Sequence, residues 1–218
     1  TFLHVNHEQR RPRYGVLLCI NGTGILNAWV KKTTVPDMSY PEVNRRCAEI
    51  PVGSEGVLML PFGNGAERML GNRYTGAEAI GLDLNRHDRF HLLRAAQEGI
   101  AFAFRYGMDV MRETGLRLRV IRAGYANLFL SPVFRQTLAT LCGADIELYN
   151  TDGALGAARG AALGAGLYAS REETFASLRK IDEVRPDPAD RDVLERGYAR
   201  WKAELENRLG RASHGTSV

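Results

Sequence analysis

The stretch from Asp88 to Glu113, "DRFHLLRAAQEGIAFAFRYGMDVMRE", constrains the fold more than any other part of the chain. Leu93, Ala96, Ile100, Phe104 and Met111 recur at helical spacing and form one face. Leu92, Phe102 and Val110 widen that face. A helix apolar around so much of its circumference is predicted to lie deep in a layered domain. Asp88 is a natural N-cap, and Gly115 supplies a stop just past the last turn.

The segments around this helix alternate between strand and helix patterns. Residues 2–6 (FLHVN) and 15–20 (GVLLCI) read as two strands joined by a charged loop, 7–14. Asn21-Gly22 turns the chain, and Ile25, Leu26, Trp29 and Val30 begin a helical face. "EVNRRCAEI" reads as a short helix and "GVLMLPF" (56–62) as a buried strand. Residues 63–86 read as a long glycine-rich loop with a short strand near Ala79–Leu82. After the long helix come a strand (117–122), a glycine at Gly124, and a helix opened by Ser131 as N-cap and Pro132 as first residue, ending at Gly143. A strand at 145–149 leads to a helix capped by Asp152 and interrupted by Gly153, Gly156, Gly160 and Gly164. Each interior glycine is unfavourable by roughly 0.5–1 kcal/mol against alanine. A backbone left so bare implies close approach by another helix or by a ligand. The last helix runs from beyond Pro188 to about Leu209, with Leu194, Tyr198, Trp201, Leu205 and Leu209 on its apolar face. This order gives an α/β fold with a central mixed sheet flanked by helices.

Bulk properties exclude several classes. The chain has 218 residues and a net charge of +4. No apolar window of about 18 residues exists, so no membrane span is expected. The first residues hold no signal-peptide core, and the missing initiating Met suggests a chain that starts inside a domain. Arginines stand beside acidic residues along helix faces. Only "EQRRPR" is dense, so no nucleic-acid partner is expected. Cys19, Cys47 and Cys142 form no CxxC; Cys19 and Cys142 sit among apolar residues and read as buried thiols. A reducing, cytoplasmic setting follows. His87 and His91 are four apart with no evident third ligand, so no metal centre is expected there.

The strand–glycine–helix turn at 120–132 is the candidate site. Gly124 allows close backbone approach, Asn127 is within reach of a base or ribose, and the helix start at Ser131 offers N–H groups and a positive dipole end. Neither GxGxxG nor a Walker A sequence occurs. Taken alone, the turn reads more readily as a plain turn than as a nucleotide site.

Four stretches in order carry a resemblance that decides between these readings. "GLDLNRHDRFHLLRAAQEGIAF" (81–102) resembles the second signature of the FGGY carbohydrate kinases. "GVLMLPFGNGAER" is similar to that family's strand and loop upstream, "AGYANLFLSPVFRQTLATLCG" to its GGGA region, and "DGALGAARGAALGAG" to its EGxALGAA helix. The resemblance places the chain in the C-terminal domain of such a kinase, with small-residue helix and loop lengths most like xylulokinases. It implies an actin-like ATPase (ribonuclease H-type) fold, incomplete at its N-terminus. Residues 1–170 would be the nucleotide-binding domain, 171–209 a helical extension and 210–218 a disordered tail. It also implies ATP and Mg²⁺ as cofactors. The implied partners are a small sugar and the N-terminal domain of the same kinase, with a homodimer allowed for.

By position, Gly124 matches the glycine beside the nucleotide, Ser131 the polar residue on the next helix, and Gly24 a second nucleotide-side glycine. Asn127 stands in if the turn is rearranged, because this chain has one glycine where the family has GGGA. The family's polar residue four positions past Gly24 is Ala28 here, so Asn27 substitutes or the contact is missing. Phe2 matches an aromatic that faces the substrate. The family's catalytic Asp and phosphate-gripping GT turn precede the strand at which this chain starts, and no Asp here replaces that base. A non-catalytic nucleotide-binding module and a glycerol or other pentulose kinase are the competing readings.

Overall fold

The computed structural model describes residues 2–3 and 12–214. Its elements are β1 (Phe2–Leu3), β2 (Tyr14–Gly15), α1 (Thr23–Thr34), α2 (Tyr40–Glu49), β3 (Leu58–Phe62), β4 (Gly76–Ile80), α3 (Arg89–Glu113), β5 (Val120–Gly124), α4 (Pro132–Cys142), β6 (Asp145–Tyr149), α5 (Gly153–Gly164), α6 (Arg171–Thr174), β7 (Lys180–Val184) and α7 (Arg191–His214). Among the described residues the strands form three small sheets, the largest of them mixed. β1 pairs with β2 and β3 with β4, both antiparallel; β5 pairs parallel with β6, which pairs antiparallel with β7.

α3 is the spine. Asp88 Oδ1 accepts from Phe90 N at 2.9 Å and from His91 N at 3.2 Å, while His91 Nδ1 accepts from Asp88 N at 3.1 Å. This reciprocal cap starts the helix where the sequence predicts. Leu93, Ala96 and Ile100 are fully buried, whereas Val110, nearer the C-terminal end, is exposed. A Cβ on Gly99 would sit 2.1 Å from Met59 O, so the glycine lets β3 lie directly on the helix backbone. From the other side Trp201 of α7 donates its indole N–H to that same carbonyl at 2.9 Å. β3 is thus clamped between α3 and α7, and all five of its residues are buried.

The loop before β3 is held by charge. Arg94 and Glu98 are both buried and pair at 2.8 Å. Arg94 Nη1 donates to the carbonyls of Cys47 and Ile50 at the end of α2. Glu98 accepts from Gly53 N at 3.0 Å and from Ser54 Oγ at 2.8 Å. These bonds fix a run of four positive φ angles, Gly53 (+84°), Ser54 (+49°), Glu55 (+50°) and Gly56 (+97°). Such backbone strain at Ser54 and Glu55, about 1–3 kcal/mol per residue, persists only where surroundings enforce it.

Several sequence expectations change. Val16–Ile20 lie in no strand, with Val16 and Leu17 exposed; residues 4–11, including most of the expected first strand and loop, lie outside the described residues. On α1 only Leu26 and Val30 are buried, because one edge of the stripe meets the core while Ile25 and Trp29 face out. β4 begins at Gly76 rather than Ala79, and β5 spans Val120–Gly124 rather than 117–122, so Gly124 ends the strand instead of following it. Cys47 and Cys142 are the buried thiols, and Cys19 is half-buried. β7 was not foreseen; it lies within the segment read as a helical extension. α7 continues to His214, past Leu209 into the expected tail, and residues 215–218 lie outside the described residues.

The bare face of α5 packs against nothing among the described residues. Side chains added at Gly153, Gly156, Gly160 or Gly164 would meet no atom within 4 Å. α5 is anchored instead by Arg159, which is buried and donates to Thr151 Oγ1 and Ser177 Oγ, both at 3.1 Å.

Candidate functional site

A cleft of about 740 Å³ opens where α1, α2, β5, α4 and α5 converge. Gly24, Asn27, Gly124, Asn127 and Ser131, separated by more than a hundred positions in sequence, all line it. The side chain of Phe2, expected to face a substrate, lies outside what the structure describes.

Three helix starts border the cleft. Ser131 caps α4 by accepting from Phe134 N, and Asp152 caps α5 by accepting from Leu155 N at 2.8 Å. The start of α1 differs: its N-cap, Gly22, makes no side-chain bond. The first N–H groups of that helix, around Thr23 and Gly24, are not capped by a side chain and carry the positive end of the helix dipole. A side chain on Gly24 would meet no atom within 4 Å, so its Cα faces open space. Helix starts of this kind bind phosphate and other anions. The lining includes one carboxylate, Asp152, and no lysine, arginine or histidine. The helix ends are therefore its source of positive potential.

The rest of the lining is largely aromatic and aliphatic, including Tyr40, Phe104, Leu128, Phe129 and Phe134. Phe134 packs edge-on against both Phe104 and Phe129. The wall between these parts is ordered by α3. Ser131 Oγ donates to Gln97 Oε1 at 2.6 Å, and Gln97 Nε2 donates to Asn44 Oδ1 at 3.3 Å. One side chain of the signature helix thus ties the start of α4 to the middle of α2. The Ser131 hydroxyl is committed to protein partners and is buried.

The close approach at Gly124 is real, but its partner is protein. A Cβ there would lie 2.2 Å from Thr151 O, and Gly124 does not have positive φ. The residue is glycine because the β6–α5 turn crosses it, which corrects the expectation that its bareness serves a ligand directly. Asn127, three residues on, does have positive φ (+53°), a conformation asparagine tolerates better than most residues. Tyr40, Asn44, Phe104 and Gly153 escaped the sequence reading. Only Gln97 carried a usable signal, by standing inside the signature stretch.

Uncapped N–H groups beside open space, set against an aromatic wall, suit a ligand with an anionic end and a flat apolar part. The model of the FGGY family of carbohydrate kinases, C-terminal domain, matches residues 2–169. This chain belongs to that family. It is 30% identical over 179 residues to a xylulose kinase of Haemophilus influenzae, covering 78% of this chain and 35% of that protein. It is also 30% identical over 173 residues to an L-xylulose/3-keto-L-gulonate kinase of Escherichia coli, covering 76% and 33%. Among solved structures, that of a xylulose kinase from Rhodospirillum rubrum superposes with a TM-score of 0.75 at 27% identity, over 90% of this chain and 40% of that one. The FGGY chain described here is thus an α/β portion of the actin-like ATPase fold. It spans 35% of the length of the first of these relatives.

Proposed function

We propose that this chain is the nucleotide-binding lobe of an ATP-dependent carbohydrate kinase. The whole protein would transfer the γ-phosphoryl group of ATP to a sugar hydroxyl, with D-xylulose as acceptor and xylulose 5-phosphate as product. The observation that carries the proposal is the single cleft in which Gly24, Asn27, Gly124, Asn127 and Ser131 meet beside the uncapped start of α1. Residues 1–170 are proposed as the lobe proper. The remaining lobe of the kinase, the sugar and, in a homodimer, a second copy are the proposed partners. The proposed compartment is the cytoplasm; among the described residues no helix is long and apolar enough to cross a membrane.

The chain's own contribution is positional. The α1 start holds phosphate oxygens, the aromatic wall excludes water, and the Ser131–Gln97–Asn44 link keeps α4 and α2 in register. Neither Asp83 nor Asp88 fits the part of base. Asp88 caps α3, Asp83 accepts from Asn85 N at 3.0 Å, and neither lines the cleft. We therefore assign the deprotonating carboxylate to no residue of this chain. Mg²⁺ belongs to the proposal through ATP. Among the described residues no group of three or more His, Cys, Asp or Glu could hold a metal. Mg²⁺ in kinases is carried largely by the phosphates with one or two carboxylates, and Asp152 is the carboxylate at this cleft.

The test is an ATP-dependent phosphorylation panel on the whole protein with D-xylulose, D-ribulose and glycerol. The highest kcat/KM is expected for xylulose. Preference for glycerol or ribulose would reassign the sugar. Transfer to none of the three would favour a non-catalytic nucleotide-binding module. The 218-residue chain alone is expected to be inactive with all three.

A further inference from the structure

We infer that Glu67 is a positioning residue for the start of α1. It lines no part of the cleft; it holds the peptide just ahead of the helix, and with it the direction of the first free N–H groups. This rests on the nucleotide reading of the cleft. Three observations lead to it. The turn into α1 has no hold of its own, since its N-cap, Gly22, makes no side-chain bond. The loop after β3 supplies the hold instead. Glu67 accepts from Asn21 N with both carboxylate oxygens, at 2.9 and 3.2 Å. Asn21 Nδ2 donates to Ala66 O at 2.9 Å, and Asn64 Nδ2 donates to Asn21 O at 3.2 Å. Finally, the Glu67 side chain is buried, yet among the described residues its carboxylate is bonded by that one peptide N–H and pairs with no cation. Burying a carboxylate on so little is unfavourable to the fold, so its contribution is to geometry rather than to stability.

The base of this arrangement is rigid. A Cβ on Gly22 would collide with Pro61 O, so the N-cap lies directly on the end of β3, the strand clamped between α3 and α7. Glu67 is fixed through its own backbone: its N–H donates to Arg73 O at 2.9 Å, and its carbonyl accepts from Asn72 N at 3.0 Å. Seated on β3 and bonded to Glu67, the turn at 21–22 presets the first N–H groups of α1 before an anion arrives. The Glu67 charge by itself opposes an anion at the same helix end. Position and charge therefore pull in opposite directions, and a variant that keeps one without the other separates them.

The experiment is calorimetric titration of the chain with ADP and with adenosine, for wild type, Glu67→Leu and Glu67→Gln, each with a thermal melt. Adenosine lacks the phosphates and so reports on the rest of the cleft. Glu67→Leu, which removes the acceptor, is expected to weaken ADP about tenfold with adenosine unchanged and the melting temperature not lowered. Glu67→Gln keeps an acceptor for Asn21 N and drops the charge; it is expected to bind ADP at least as tightly as wild type. If Glu67→Leu binds ADP as tightly as wild type or more so, the carboxylate does not position the helix start and the inference fails. If ADP and adenosine weaken together with a lowered melting temperature, Glu67 is structural and the inference fails. Equal loss of ADP in Glu67→Gln and Glu67→Leu overturns it too. In these cases the nucleotide reading stands. If wild type binds ADP no more tightly than adenosine, or binds neither, that reading fails as well.

Discussion

Glu98 is 2% exposed and accepts hydrogen bonds from Arg94, Gly53 N and Ser54. Replacing it by alanine leaves the buried Arg94 cation without its carboxylate and frees the strained turn at 53–56. Breaking a buried pair from one side typically destabilises by about 3–5 kcal/mol. Glu98→Ala is therefore expected to lower the denaturation midpoint steeply; a loss under about 1 kcal/mol would mean the pair is solvated. The thiols offer a second check at this scale. Burial pushes Cys47 and Cys142 up to about 12, against roughly 8.5 for a free thiol. Both groups are thus neutral in the fold when the unfolded chain begins to ionise. Their contribution to stability is complete below about pH 8.5 and is lost as pH rises from there toward about 12. In native protein near neutral pH a thiol reagent is expected to modify half-buried Cys19 first, with Cys47 and Cys142 following only on unfolding. Three equal rates would contradict the burial. The sequence reading placed Cys142 correctly but took Cys19 for the second buried thiol, because Cys19 follows an apolar run that joins no strand, whereas Cys47 looks polar by its neighbours yet is buried in α2.

The elements that packing alone could dictate were readable from pattern. Both ends of α3, the caps of α4 and α5 and the bounds of β6 follow from Asp88, Gly115, Ser131, Asp152 and one alternation in burial. β7 was missed because "KIDEV" carries little apolar signal and is recruited by β6. α5 marks the opposite failure. Its glycines imitate a packing face, yet nothing among the described residues touches them. This reverses one expectation. Gly160→Leu, which close packing would make disruptive, is accommodated here, and Gly160→Ala is expected to raise stability by about 0.5–1 kcal/mol through helix propensity. Gly99→Ala should do the reverse. Its methyl would lie 2.1 Å from Met59 O, and β3 cannot yield without losing Trp201. Overpacking of this kind costs about 1–3 kcal/mol or more. Paired thermal melts of the two variants check both signs; a stabilising Gly99→Ala or a strongly destabilising Gly160→Ala would contradict the geometry. Gly124→Val belongs with Gly99, since it strikes Thr151 O; it is expected to lower the melting temperature as well as weaken nucleotide binding.

Across the whole molecule, five residues named from sequence line one cleft, whose walls the sequence could not build. Gly124, Asn127 and Ser131 are close in sequence, and their grouping follows from one turn. That Gly24 and Asn27 line the same opening depends on α3 packing against both α1 and α4, a long-range consequence that no local pattern contains. The aromatic half of the cleft, from Tyr40, Phe104 and Phe134, is tertiary in origin for the same reason. The proposed function requires that a nucleotide occupy this cleft, with its phosphates at the start of α1. The most direct measurement is an amide-resolved NMR titration of the chain with ADP. The claim predicts the largest shifts at Thr23, Gly24, Asn27, Asn127 and Gly153. It predicts little change in the second, polar cleft around Arg135, Gln136 and Asp190. Shifts centred on that second cleft, or none at millimolar ADP from a folded chain, would contradict it.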